Sequence, residues 1–267
     1  MYFNKKTVRG YNSYLKLDEN NGENTFMDVG LLVLGTGDEY TFEEPDKETA
    51  VHLICGEAMI QFDDVEEKIT RPNPFDYAPY CLLLPKGKQA RLTGIASCEF
   101  FIQKTMIDHT YPAHLYKPEE IDTWARGVSE LDGTMRRDVR TVFDYETRPD
   151  SNMVLGEVVN PGGIWSSYPP HHHPQPEVYF YYFQHPEGFG AGWNGGSKVY
   201  TVRHHGLLVI NNDKSHQQVM APGYPCMYIW GIRHLPGNPW EKTRIDDEEH
   251  TWLLADNPEY WKPGEAK

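Results

Sequence analysis

The chain has 267 residues, a formal net charge of −14, and hydrophobic and aromatic shares of 39% and 13%. Such a composition excludes disorder, and the length allows one large all-β domain or two small ones. The acidic balance excludes nucleic acid and an anionic membrane surface as main partners, because both require a basic face.

The first residues, MYFNKKTVRGYNSY, carry no apolar signal-like core, and no apolar run approaches the roughly 18 residues of a membrane span. Short runs rich in β-branched and aromatic residues then follow one another, separated by Gly, Pro, Asn and Asp. They are VGLLVLG (29–35), TAVHLICG (49–56), YCLLLP (80–85), CEFFIQK (98–104), NMVLGEVV (152–159), EVYFYYF (177–183), KVYTV (198–202), LLVIN (207–211) and CMYIWGI (226–232). This pattern predicts a many-stranded sandwich or barrel, not βαβ units. Between the two groups, Lys117–Asp132 (KPEEIDTWARGVSELD) has Pro118 near its start and acids in its first turn, and is predicted as a helical connector. It divides a first β half, 1–135, from a second, 136–267. The aromatic and charged segment from Pro239 onward reads as a lid or packing extension. Cys55, Cys81, Cys98 and Cys226 form no CxxC pair and three lie in apolar runs, the setting of reduced, buried thiols in the cytoplasm.

The halves read as distant copies. A glycine-containing strand leads to Glu48 and then AVHLICG in the first; a glycine pair leads to Glu177 and then VYFYYF in the second. The overlay sets Lys88 opposite His216, and nothing in the first copy matches the HxH of the second. Only the second barrel is therefore expected to hold a metal.

The segment Pro169–Glu177 reads PPHHHPQPE. His171 and His173 are two apart, so on an extended strand they share a face, while His172 points away. Glu177 opens an apolar strand where a carboxylate is otherwise expensive to bury. His216 follows at a spacing that brings a neighbouring barrel strand alongside. Three imidazoles and a carboxylate suit one divalent ion of Zn, Mn, Fe, Co or Ni, and in an octahedral metal leave two positions for water or a chelating substrate. His185, His204, His205 and His234 lack such spacing and read as loop or rim residues.

The HxHx3E…H arrangement resembles the cupin metal signature, which implies two jelly-roll barrels, a bicupin. The strings GGIWSSYPPHHH, EGFG, KVYTV, APGY and DDEEHTWL resemble the 5-deoxyglucuronate isomerases of inositol catabolism, as do RRDVRTVFD and RPNPFDYAPYCLLLP. EVYFYYF and YIWGI are similar to a sister family, the 4-deoxy-5-ketouronate isomerases of pectin breakdown. The former family has Lys between the two histidines and a longer acidic insertion before the Glu; here stand His172 and a short HPQP link. The metal set carries over position by position, whereas the exact deoxyuronate does not.

The resemblance implies aldose–ketose isomerisation of an open-chain sugar acid through an enediolate, assisted by a Lewis-acid metal. The small sugar acid is the expected partner, and a homo-oligomer is compatible with the sequence. Arg203 and Arg233, each beside a barrel strand, are candidates to fork onto the carboxylate, and Tyr228 to face the cavity. Glu157 and His172 are candidates for the base, and a hydride shift needs none. Cupin dioxygenases and non-catalytic sugar-binding cupins use the same ligand set; no helix-turn-helix pattern points to a regulator.

Overall fold

The computed structural model describes residues 1–17, 25–211 and 213–264. Among them, strands gather into two antiparallel barrels packed face to face. In the first, Lys47–Phe62 is shared by both faces. Its first half pairs with Cys81–Leu84 and Cys98–Met106, and its second half with Val65–Arg71 and Gln89–Gly94. The corner between them falls at Gly56, whose φ is +100° and where a Cβ would collide with the Ser97 carbonyl. Only glycine turns this corner without strain.

The second barrel has a seven-stranded sheet. Its spatial order is Tyr2–Phe3, Leu207–Ile210, Glu177–Phe183, Cys226–Arg233, Met153–Asn160, Arg137–Phe143 and Thr123–Arg126. Facing it are Val199–Arg203, Phe189–Trp193, His216–Met220, Trp165–His172 and the short Ile245–Asp246. The expected helical connector is not a helix. Short 3-10 turns at Pro118–Glu120 and Glu130–Gly133 flank Thr123–Arg126, which pairs with Arg137–Phe143 at the sheet edge. Gly127 at φ +66°, and Leu131 and Asp132 also at positive φ, interrupt any helix there. The 135/136 division thus lies between two paired strands. Tyr2–Phe3, from the other end of the chain, also joins this sheet, with Phe3 opposite Leu207. No described helix is long and apolar enough to cross a membrane. Cys81, Cys98 and Cys226 are buried, Cys55 half-buried, and all four are free.

Each barrel has its own apolar interior. Leu32, Phe42, Leu53, Ile60, Leu92 and Phe100 fill the first. Tyr179, Tyr181, Phe183, Leu208, Tyr228 and Trp230 line the second. A further core, including Leu31, Ile54, Phe101, Leu155, Phe180 and Ile229, belongs to the seam between barrels. Within that seam lies a buried charge cluster. Glu157 accepts from Arg71 Nη2 at 2.6 Å, Arg140 Nη1 at 2.7 Å and His52 Nε2 at 3.0 Å. Both arginines also donate to the Tyr77 carbonyl, Arg71 at 2.8 Å and Arg140 at 2.9 Å. Burial alone would raise the Glu157 pKa, but Arg71, His52 and Arg140 together hold it well below the usual carboxylate range. Burial pushes His52 down and keeps it neutral, against the opposing pull of Glu157.

Removing the shared acceptor leaves two buried guanidiniums unpaired. Glu157→Ala should therefore cost about 3–5 kcal/mol in denaturant titration. The pH dependence has a definite sign. The His52 contribution is present above its unfolded pKa of 6.5 and is lost as pH falls toward its depressed folded value. Stability should drop between pH 7 and 5, and His52→Gln should flatten part of that slope; an unchanged slope would count against a neutral His52.

Candidate metal centre

The site forms where strand ends meet. His171 lies near the end of Trp165–His172, directly opposite His216, the first residue of His216–Met220. Their ring centroids are 4.4 Å apart, and those of His173 and His216 are 5.3 Å apart. Glu177 opens its strand on the same face as Tyr179 and Tyr181, so its carboxylate enters the barrel. His173, Glu177 and His216 offer ligand atoms that all lie within 4.8 Å of one another. The His171 ring packs against His216 at the margin of this trio. All four side chains are buried.

The hydrogen bonds set the tautomers. Nδ1 of His171 donates to the Pro169 carbonyl at 3.1 Å, Nδ1 of His173 to that of Gln175 at 2.9 Å, and Nδ1 of His216 to that of Lys214 at 3.0 Å. A carbonyl can only accept, so each Nε2 keeps its lone pair free. The His216 Nε2 is buried without a hydrogen-bond partner, although Glu177 Oε2 lies 3.3 Å away in a direction unsuited to one. The same Oε2 is 3.2 Å from His173 Nε2 and accepts from the Tyr179 hydroxyl at 3.1 Å. Burial pushes His171 and His216 down to about 3, so both imidazoles are neutral. Convergent bare lone pairs around a carboxylate fit a divalent cation.

A cavity of about 220 Å³ opens over His171, His173, Glu177 and Tyr179, with His216 behind them. Its other walls include Arg137, Ser167, Tyr228, Trp230, Trp240 and Arg244. The Tyr228 hydroxyl bonds to Ser166, and burial pushes its pKa up to about 12. Tyr228 thus lines the cavity.

Other expected site residues lie elsewhere. Glu157 and Arg233 sit one residue out of phase with the inward-facing Val158 and Ile232, and both point to the seam. Glu157 is locked in the charge cluster and cannot serve as a base for this cavity. Arg233 donates to Thr105 Oγ1 at 2.7 Å and to the His234 carbonyl. Arg203 is exposed, its neighbour Val202 having taken the inward position. His172 turns outward to Asp213, 2.6 Å away. The rings of His204 and His205 lie tilted against each other, His185 is exposed, and His234 accepts the Trp240 amide at 2.9 Å. In the first barrel, Glu48 is buried toward the seam, bound by Tyr111, Ser151 and the Asn152 amide, and Lys88 pairs with Asp63 at the surface.

Sequence reasoning missed Arg137 and Arg244. Arg137 lies two residues before the cavity-lining Val139, a period-two signal visible in the sequence. Arg244 is brought in by the pairing of Ile245 with His172, which no local pattern foretells.

The model of the KduI/IolB family matches residues 2–253. The chain belongs to the KduI/IolB family. Among curated proteins it is similar to the 5-deoxy-glucuronate isomerase of Geobacillus kaustophilus, with 26% identity over 250 residues and 86% of each chain covered. The corresponding Bacillus subtilis strain 168 isomerase is 23% identical over 255 residues, covering 88% of this chain and 90% of the relative. Among solved structures, an IolB-like protein from Salmonella typhimurium LT2 superposes with a TM-score of 0.86 at 20% identity, covering 95% of this chain and 99% of that one. Lactobacillus farciminis oxalate decarboxylase gives 0.66 at 11% identity, covering 94% and 87%. This KduI/IolB chain therefore shares the double-barrel cupin architecture with proteins of different activity, and its site must carry the functional argument.

These placements separate two arginines. Arg203→Ala should leave stability within about 0.5 kcal/mol of the parent. Arg233→Ala should lower it by about 1–3 kcal/mol, through bonds lost at the seam, in denaturant titration. Neither should alter ligand-induced fluorescence of Trp230 and Trp240; a change with Arg203→Ala would contradict its outward position.

Proposed function

We propose that this protein is a metal-dependent aldose–ketose isomerase of a deoxyuronate, converting 5-deoxy-glucuronate to 5-dehydro-2-deoxy-gluconate in cytoplasmic inositol catabolism. The carrying observation is the convergence of His173, Glu177 and His216, with His171 beside them, in a cavity that also presents guanidinium groups. Membership of the KduI/IolB family and the isomerase names of its relatives support the reaction class.

His171, His173, Glu177 and His216 would hold one divalent ion per chain. A divalent ion held there would supply Lewis acidity for polarising the carbonyl of the open-chain sugar. The residues around it do the rest. Backbone carbonyls hold the imidazoles in the ligating tautomer, and the Tyr179 hydroxyl orients Glu177. Tyr228, protonated at neutral pH, donates a hydrogen bond to an oxygen gaining charge and does not act as a base. The walls of Trp230, Trp240 and Ile232 exclude water from the reacting carbons.

Metal analysis should find close to one equivalent per chain, since the first barrel interior is apolar. His216→Ala should lose the ion and the activity while keeping the fold, and His172→Ala should keep both. Tyr228→Phe should retain the metal and lower kcat roughly a hundredfold. Turnover should consume no oxygen; uptake stoichiometric with substrate loss would assign the site to a dioxygenase instead.

A further inference from the structure

Charge inside the cavity is unbalanced. The chain as a whole carries −14, yet two guanidiniums, Arg137 and Arg244, line the space over the metal ligands. Arg244 is fixed in place. Its Nε bonds Asp246 at 2.7 Å, and its Nη2 bonds the Pro169 carbonyl at 2.8 Å, the carbonyl that also holds His171. Arg137 has no such acid. It is half-buried, and the bond it makes is from Nη1 to the Met135 carbonyl at 2.8 Å. Among the described residues no carboxylate lies within ion-pair distance of it. Lys242, on the same cavity wall, is already paired with Glu146 at 2.5 Å and Asp144 at 3.5 Å. Burial disfavours the charge of Arg137, and Arg244 nearby adds to that. A cation desolvated beside another cation, without a counter-ion, costs free energy that an arriving anion recovers.

We infer that Arg137, backed by Arg244, is the receptor for the substrate's carboxylate and selects sugar acids over neutral sugars. The inference rests on the proposed isomerase reading for the identity of the substrate, but not for the class of anion. The planar fork of Arg137 grips the carboxylate at one end of the cavity, while the oxygens of the reacting carbons face the His171–Glu177 end. A neutral aldose leaves the arginine unpaired and so pays the desolvation without the return.

The test uses the full chain, with D-glucuronate and D-glucose as binding probes read by Trp230 and Trp240 fluorescence, and with deoxyuronate kinetics. The parent protein should prefer the acid. Arg137→Gln should weaken glucuronate binding and raise KM by about 10- to 100-fold with unchanged metal content, and should not weaken glucose binding. Arg137→Lys, which keeps the charge without the fork, should fall between and carries the test if the glutamine variant does not fold. An arginine variant with undiminished preference for the acid overturns the inference even if the protein is an isomerase. Acid preference that depends on Arg137, in a protein that turns over no deoxyuronate, upholds the inference and removes the isomerase reading.

Discussion

The four central strands of the seven-stranded sheet, Leu207–Ile210, Glu177–Phe183, Cys226–Arg233 and Met153–Asn160, are buried on both sides, so successive residues answer to different surroundings. In Glu177–Phe183, odd positions enter the barrel and Val178 and Phe180 enter the seam. In Met153–Asn160 the alternation sends Val154 and Val158 inward and Leu155 and Glu157 outward to the other barrel. This two-residue period decides which side chain can meet the metal ligands and which can join the barrels. A slip of one residue would turn Glu157 into the barrel interior and Glu177 into the seam.

The two faces are specialised accordingly. The inward face gathers neutral imidazoles, phenols and guanidiniums around one cavity. The seam face gathers apolar side chains around a single compensated charge cluster, in which Arg71 from one barrel and Arg140 from the other share Glu157. Buried clusters of this kind give less net stability than orientation, because desolvation offsets much of the attraction. Their geometric effect here is to fix how the metal-bearing sheet leans on its partner. The first barrel, with no ligand set of its own among the described residues, acts as the support against which that sheet is held.

The legible part of the site was the part encoded locally. His171 and His173 share a face by simple alternation, and Glu177 starts a strand whose character is plain. His216 was recognisable because adjacent barrel strands bring such positions together. Glu157 and Arg233 were misplaced because NMVLGEVV and CMYIWGI are apolar on both faces, and a continuous apolar run carries no phase. The connector misled because Pro118 and the acids after it mark a helix start, but Gly127 and an open sheet edge claim the segment for a strand. Arg244 depends on a short strand that pairs across the site from near the chain's far end, and that information is not local at all.

The pairing of Phe3 with Leu207 has a consequence for synthesis. A ribosome adding roughly 5–20 residues per second needs on the order of ten to forty seconds to deliver the partner strand after Tyr2–Phe3 has emerged. All strands of the first barrel emerge within that interval, while Tyr2–Phe3 still waits for its place in the second. That strand finds its partner only once Leu207–Ile210 has emerged, and chains stalled before Leu207 would carry it exposed.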